Sequence, residues 1–362
     1  MEDTSSPRRS CAADFEFLGK LGEGTFGTVF RARRRSDDQI YVVKKLQIAE
    51  LTREEQLAAI NEVKLLAAMD HPQVVQYFDS FIDEGNLFIV MEECDAGDLA
   101  GAIKRARAKA DARQQQQQQQ QPGGGGGGGV RAMPEARVWS IFVQILLGLH
   151  YIHRQRVLHR DMKTANVFLC SSSGGSGNNS GDGGGDDGSG AVAGAAAHGM
   201  TVKIGDLGVA KLLGTSNSFA ATVVGTPYYL SPELVQDEPY GRPSDLWALG
   251  VILYECCTLR RPFEANNQCA LIMKIVKGRF APVPPENASS GLVDIVHRLL
   301  FLDPHHRPSS RALLSSNIVQ RCVCFVLREH KQTSITGRLF VSFDRSIVRS
   351  IAPFFFALLR SG

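Results

Sequence analysis

The sequence predicts an α+β chain in which a sheet-rich part precedes a helix-rich one. Three observations carry this. The segments LGKLGEGTFGTVFRA and QIYVVKKL are rich in β-branched and aromatic residues with turn residues between them, which reads as strands. Val138, Ile141, Phe142, Ile145, Leu146 and Leu149 recur at helical spacing, with Pro134 suited to the first turn, so this stretch reads as a buried helix. Downstream of Pro232, DLWALGVILYECC and SGLVDIVHRLLFL repeat the helical period. A ligand is expected between the two parts.

Composition narrows the class further. With 362 residues, 43% of them hydrophobic, the chain can bury a substantial core. Its 40 basic and 37 acidic residues leave a net charge of +3, so nothing global points to nucleic acid or to a membrane surface. The eight cysteines lack paired metal-ligand spacing; Cys322 and Cys324 have neither a second such pair nor nearby histidines, which argues against zinc. No apolar stretch at the start resembles a signal peptide, and the run from Ile351 to Leu359 is too short to span a bilayer as a helix. The expectation is a soluble, cytoplasmic protein with free thiols. Two low-complexity stretches, Gln114 to Gln121 followed by Gly123 to Gly129, and Ser171 to about Gly199, cannot form a packed core and read as disordered surface insertions.

The chemistry-bearing residues follow in order. Gly22, Gly24 and Gly27 with Val29 make G-x-G-x-x-G-x-V, a loop whose glycines let main chain approach phosphate. The same triplet can open a dinucleotide-binding fold, but that needs a helix at the glycines, whereas Thr28-Val29-Phe30 continues as strand; no G-x-x-x-x-G-K-[ST] is present either. In Ile40 to Leu46, alternation puts Val42 and Lys44 on one face, opposite Tyr41, Val43 and Lys45. A lysine on an inward face needs phosphates or a carboxylate as partner. Thr52 and Glu55 have capping-box spacing, and the helix they start carries Ala59, Glu62, Val63 and Leu66 on one face, which makes Glu62 the expected partner of Lys44.

The densest signal is His159-Arg160-Asp161-Met162-Lys163-Thr164-Ala165-Asn166, followed across the second insertion by Asp206-Leu207-Gly208. Asp161 is suited to orient a hydroxyl or accept its proton, and Lys163 to offset charge on a transferring phosphoryl group. Asn166 and Asp206 supply hard oxygen ligands for magnesium. Any one of these residues would be an unremarkable surface or capping group; their order and density make the difference.

These motifs resemble the eukaryotic protein kinases over roughly Phe15 to Asn317, with further matches at Gly225-Thr226-Pro227-Tyr228-Tyr229, Ser231-Pro232-Glu233, Asp245-Leu246-Trp247 and Arg307. Within that class HRDMKTANVFL, KIGDLGVAKLL, VVGTPYYLSPE and RPSDLWALGVILYE are similar to the NIMA-related (Nek) family. The resemblance implies the bilobal kinase fold over residues 15–317, with a flexible segment 1–14 before it and a tail 318–362 after it. It implies ATP and magnesium as cofactors and protein serine or threonine hydroxyls as acceptors, the latter from Lys163 and Thr226. The nucleotide contacts it implies are Leu21, Gly22, Glu23, Gly24, Thr25, Phe26, Gly27, Val29, Val42, Lys44, Phe168 and Asp206, with Met91 as gatekeeper, Glu92 and Cys94 bonding adenine through main chain, and Asp98 near ribose or substrate. Glu233 with Arg307, and Asp245 beneath the catalytic loop, are implied as structural. Leu207 stands where many kinases have phenylalanine. Thr222 lies where Nek activation segments carry a regulatory hydroxyl, with the Arg160 guanidinium available to a phosphate there. Cytoskeletal or ciliary partners, at centrosome, basal body, cilium or nucleus, are implied by the family alone.

Overall fold

The computed structural model describes residues 10–24, 27–120, 132–171, 200–206 and 227–329. Five strands, β1 (Phe15–Gly24), β2 (Gly27–Arg34), β3 (Ile40–Gln47), β4 (Tyr77–Asp83) and β5 (Asn86–Glu92), form an antiparallel sheet in the order β1-β2-β3-β5-β4. Strand alternation sorts its side chains. Tyr41 and Val43 are buried with Phe15, Ala32, Phe81, Phe88 and Val90 on one face, where the Phe81 ring stacks on Phe15 and on Phe88. On the other, Leu46, Leu87 and Ile89 pack with Ala59 and Val63 of α1 (Arg53–Ala67). That helix starts with the expected capping box: Thr52 Oγ1 accepts from Glu55 N at 3.3 Å, and Thr52 N donates to the Glu55 carboxylate at 2.8 Å.

The second part is built on α2 (Leu99–Gln120), α3 (Glu135–Arg154), a two-stranded antiparallel sheet of β6 (Val167–Cys170) and β7 (Thr201–Ile204), α4 (Pro232–Val235), α5 (Arg242–Thr258), α6 (Gln268–Lys277), α7 (Ser290–Leu299), α8 (Ser310–Leu314) and α9 (Asn317–Glu329). The six apolar positions read as one face of a helix are all at most 1% exposed in α3, and Pro134 is its N-cap, one step outside the first turn. Helix α5 is buried on every side from Ser244 to Cys257, so it is the spine of this lobe, not an amphipathic surface helix. Trp247 of α5 lies flat against Phe263, ring centroids 5.6 Å apart.

The low-complexity stretches behave differently from the expectation in one respect. Gln114 to Gln120 continue α2 as helix. Glutamine is a good helix former, and a helix already nucleated by Leu99 to Ala110 propagates at little cost per residue. Residues 121–131 and 172–199 lie outside the described residues. The ends of the second insertion meet, because Cys170 pairs with Thr201 at the end of the β6–β7 ladder, so a chain of any length can leave and re-enter there. At the C-terminal side, α9 starts where the sequence reading ends the domain, and it buries Val319, Val323, Cys324 and Val326 in the main core.

Candidate active site

The site is assembled where both connections between the lobes dock on the small β6–β7 sheet. Ile204 N donates to Gln73 O at 2.8 Å and Val75 N to Ile204 O at 2.8 Å, which ties β7 to the segment entering β4. Ala96 N donates to Leu169 O at 3.0 Å and Leu169 N to Gly97 O at 2.8 Å, which ties β6 to the segment leaving β5. Between them opens a cleft lined by Lys44, Val75, Ile89, Met91, Ile204 and Asp206.

Its roof is the β1–β2 turn. Gly22 pairs with Val29 and Gly24 with Gly27; Thr25 and Phe26, at the tip, lie outside the described residues. A side chain at Gly27 would strike Lys45 O at 2.1 Å, so only glycine lets β2 lie this close to β3. At Gly22, by contrast, a Cβ would meet nothing within 4 Å. Leu21 is exposed, and the Glu23 carboxylate is engaged by Lys20 at 2.5 Å.

Lys44 faces the cleft with a side chain only 11% exposed, and its ammonium is hydrogen-bonded to Asp206 Oδ1. Glu62 lies on α1, as expected, but its side chain is outside the described residues. Val42 stands in register with Met91, and Lys44 with Ile89, so Met91 and Lys44 share one wall. At the strand end Glu92 N donates to Gln76 O at 2.9 Å. Asp98 Oδ1 accepts from Gly101 N at 2.6 Å and so starts α2 as an Asx cap, and its main chain bridges to Phe168.

The catalytic-loop motif is held from below by one buried carboxylate. Asp245, fully buried on α5, accepts from His159 N at 3.1 Å through Oδ2 and from Arg160 N at 3.1 Å through Oδ1, while His153 Nε2 lies 2.8 Å from Oδ2 and the Tyr240 hydroxyl also donates. Burial alone would raise this carboxyl; the hydrogen bonds from His153 and Tyr240 and the nearby imidazoles hold it below the usual carboxylate range. The arrangement keeps Arg160 at φ 64° and Asp206 at φ 55°, a left-handed conformation that costs a non-glycine residue energy and is found at sites that need a fixed backbone. His159 is a neutral linker. Its Nδ1 accepts from Asp161 N at 3.3 Å, which leaves Nε2–H to donate to Gly205 O at 3.1 Å, and burial holds its pKa below the ordinary value.

Above this, Asp161 Oδ2 accepts from Lys163 Nζ at 2.7 Å and from Asn166 Nδ2 at 2.9 Å; the same amide group donates to Asp161 O at 2.8 Å. Gly205 N donates to Asn166 O at 3.0 Å, which brings Asp206 beside Asn166. Asp161, Lys163 and Asn166 thus form one hydrogen-bonded cluster, tied by Gly205 to the residue that meets Lys44 in the cleft.

Residues 15–319 match the protein kinase domain model. The chain belongs to the protein kinase family. Within it, the chain is similar to NIMA-related serine/threonine kinases: mouse serine/threonine-protein kinase Nek5, 38% identical over 310 residues, 86% of this chain and 41% of that protein; mouse Nek1, 36% identical over 304 residues, 84% and 21%; and mouse Nek2, 37% identical over 313 residues, 84% and 60%. The chain thus spans about two-fifths of the length of the Nek5 it matches.

Kinase-family pairs implied as structural are in place. Arg307 meets Glu233 with two bonds of 2.7 Å, and its remaining N–H groups go to Phe301 O, Leu302 O and Pro243 O, so all five donors of a buried guanidinium are used. Burial would raise the Glu233 carboxyl, and Arg307 overrides it and holds it below the ordinary value. Sequence reasoning passed over three other groups. The Thr164 hydroxyl lies 2.8 Å from the Tyr229 hydroxyl, linking the catalytic loop to the segment Pro227–Tyr229; Glu255 lies beneath Tyr229; and the Glu92 side chain bonds Lys203 and Gln76 N. Thr164 and Tyr229 lie inside motifs and Glu255 ends the segment RPSDLWALGVILYE, but in every case only proximity in space reveals which side chains meet. Leu207, Gly208, Thr222 and Thr226 lie outside the described residues, and among those described no helix is long and apolar enough to cross a membrane.

Proposed function

We propose that the chain transfers the γ-phosphoryl group of ATP to serine and threonine hydroxyls of proteins. The observation that carries this reading is the clustering of Asp161, Lys163 and Asn166 by direct hydrogen bonds, joined through the Gly205 N–Asn166 O bond to the Asp206–Lys44 contact that lines the cleft. Asp161, pinned through Oδ2, orients the acceptor hydroxyl and takes its proton as the new P–O bond forms and the bond to the departing ADP oxygen breaks. Lys163 lies where it offsets charge developing on the phosphoryl oxygens, and Lys44 holds phosphate against the sheet. Catalysis is then mostly positioning and electrostatics supplied by fixed groups.

The donor set fits magnesium. Asn166 spends its amide N–H groups on Asp161, which leaves Oδ1 as the neutral hard oxygen it can offer, and Asp206 is 44% exposed with one carboxylate oxygen engaged by Lys44. Among the described residues no group of three or more His, Cys, Asp or Glu can hold a metal ion, and a two-oxygen site is what magnesium completes with water and substrate phosphates. When bound, the ion supplies charge neutralisation across the phosphate oxygens.

The test is transfer of radiolabel from ATP to a generic protein substrate. Lys44→Met and Asp161→Asn are each expected to lose nearly all turnover with circular dichroism unchanged; near-wild-type turnover in either rejects the mechanism.

Phosphorylation of Thr222 is proposed as the activating event. Its support is its place between Asp206 and Glu233 and the position of Arg160, whose backbone N–H Asp245 anchors, directly before Asp161. A phosphate adds about −1.5 to −2 charges and accepts bidentate bonds from a guanidinium, which would order the loop and Asp161 together. Mass spectrometry is expected to find phosphate on Thr222 in active protein, with Thr222→Ala and Arg160→Ala both weak; full activity in Thr222→Ala moves the search to a binding partner. The cytoskeletal and ciliary partners implied by family belong to this proposal too, and imaging the tagged chain at centrosomes and cilia tests them.

A further inference from the structure

We infer that Lys203 and Glu92 are a positioning pair that holds the adenine-facing end of β5 at a fixed height over the β6–β7 floor and thereby sets the affinity for nucleotide. This rests on the ATP-binding reading above. Lys203 Nζ is 2.9 Å from Glu92 Oε2, with side-chain exposures of 13% and 27%, so the pair is largely withdrawn from solvent. The same oxygen accepts from Gln76 N at 3.1 Å, and Glu92 N donates back to Gln76 O at 2.9 Å. One carboxylate therefore joins three pieces of chain: the end of β5, the segment entering β4, and β7.

Two of those pieces carry expected nucleotide contacts. Glu92 is expected to meet the base through main chain, and its N–H is held by Gln76 O. Lys203 is the register partner of Phe168, one of the expected nucleotide contacts, and stands three residues before Asp206. A shift of β5 relative to β7 changes the distance between the groups that hold the base and those that hold the phosphates. A solvent-exposed ion pair would contribute little to holding that distance, because water replaces each partner easily. Here the loss of either side chain leaves a shielded charge without its partner, and loss of the carboxylate also strands a backbone N–H, so the change propagates to the hinge.

A different role for Lys203, direct attraction of the nucleotide's phosphates, makes the opposite prediction for Glu92. Neutralising Glu92 would then strengthen nucleotide binding by unmasking the lysine; in a positioning pair it weakens it.

The experiment compares the 362-residue wild type, Lys203→Met, Glu92→Gln, the double variant and Lys203→Arg by calorimetric titration with ADP and magnesium, and by steady-state kinetics in ATP. Lys203→Met and Glu92→Gln are each expected to raise Kd and the KM for ATP by about tenfold, with the double variant no worse than the weaker single one. The fall in kcat should be less than about threefold, and Lys203→Arg should regain most of the affinity, because the guanidinium restores the bond. Singles within twofold of wild type, additive losses, or tighter binding in Glu92→Gln overturn the pair while leaving the ATP reading standing. Absence of nucleotide binding in wild type overturns the ATP reading itself.

Discussion

Glu255 makes the stability of this chain depend on pH in a window set by one carboxyl. It sits on α5 at 6% exposure, and its Oε1 has no hydrogen-bond partner, while the Tyr229 hydroxyl bonds the carboxyl from above and in turn reaches Thr164 of the catalytic loop. Burial pushes the Glu255 carboxyl up to about 7; the Tyr229 bond and Arg261 oppose the rise, and Glu264 adds to it. Because the folded value lies above the ordinary 4.5, the folded state binds a proton that the unfolded chain has already lost. Its contribution is fully present below about pH 4.5, fades as pH rises, and is gone above about 7. At about 1.36 kcal/mol per pH unit, the whole effect is about 3 kcal/mol, most of which falls between pH 5 and 8.5. Glu255→Gln removes the titration while keeping shape and an acceptor for Tyr229. Urea denaturation of both proteins at pH 5 and pH 8.5 isolates the effect, since every other titrating group cancels in the difference. Wild type is expected to lose about 2–3 kcal/mol more than the variant over that interval. Parallel losses would refute the reasoning.

Three further outcomes follow from the packing. Arg307→Lys cannot satisfy both Glu233 oxygens and three carbonyls, and is expected to cost about 3 kcal/mol or more in denaturant unfolding; a cost under about 1 kcal/mol would mean the buried pair is dispensable. Asp245→Asn turns an acceptor of two backbone N–H groups into a mixed donor, so kcat should fall by about a hundredfold through misplacement of Asp161, measured in the radiolabel assay, whereas unchanged kcat would free the catalytic loop from this anchor. Truncation after Asn317 removes Val319, Val323, Cys324 and Val326 from the core, and since a buried Val contributes about 1.5–3 kcal/mol, the truncated chain should melt well below the full one or be insoluble. Equal melting temperatures would show that α9 is not part of the folding unit.

Local chemistry is what the linear order of residues determined. Thr52 and Glu55 cap a helix wherever it packs, the glycines of the β1–β2 turn admit main chain near a ligand, and the six apolar positions of α3 state a helical face; each effect acts within a few residues. The motif from His159 to Asn166 likewise singled out Asp161, Lys163 and Asn166, which the structure joins by direct hydrogen bonds, since proton transfer and hard-cation binding restrict residue type. Tertiary structure decided what depends on distance between remote segments. It continued α2 into the glutamine tract, brought α9 into the core, gave Lys44 the Asp206 carboxylate as a partner 162 positions away, and put Glu255 under Tyr229 and Lys203 beside Glu92. Charges on unconnected strands interact only once the core has fixed their separation and excluded the water that would otherwise screen them, and neither quantity is written in any local stretch of sequence.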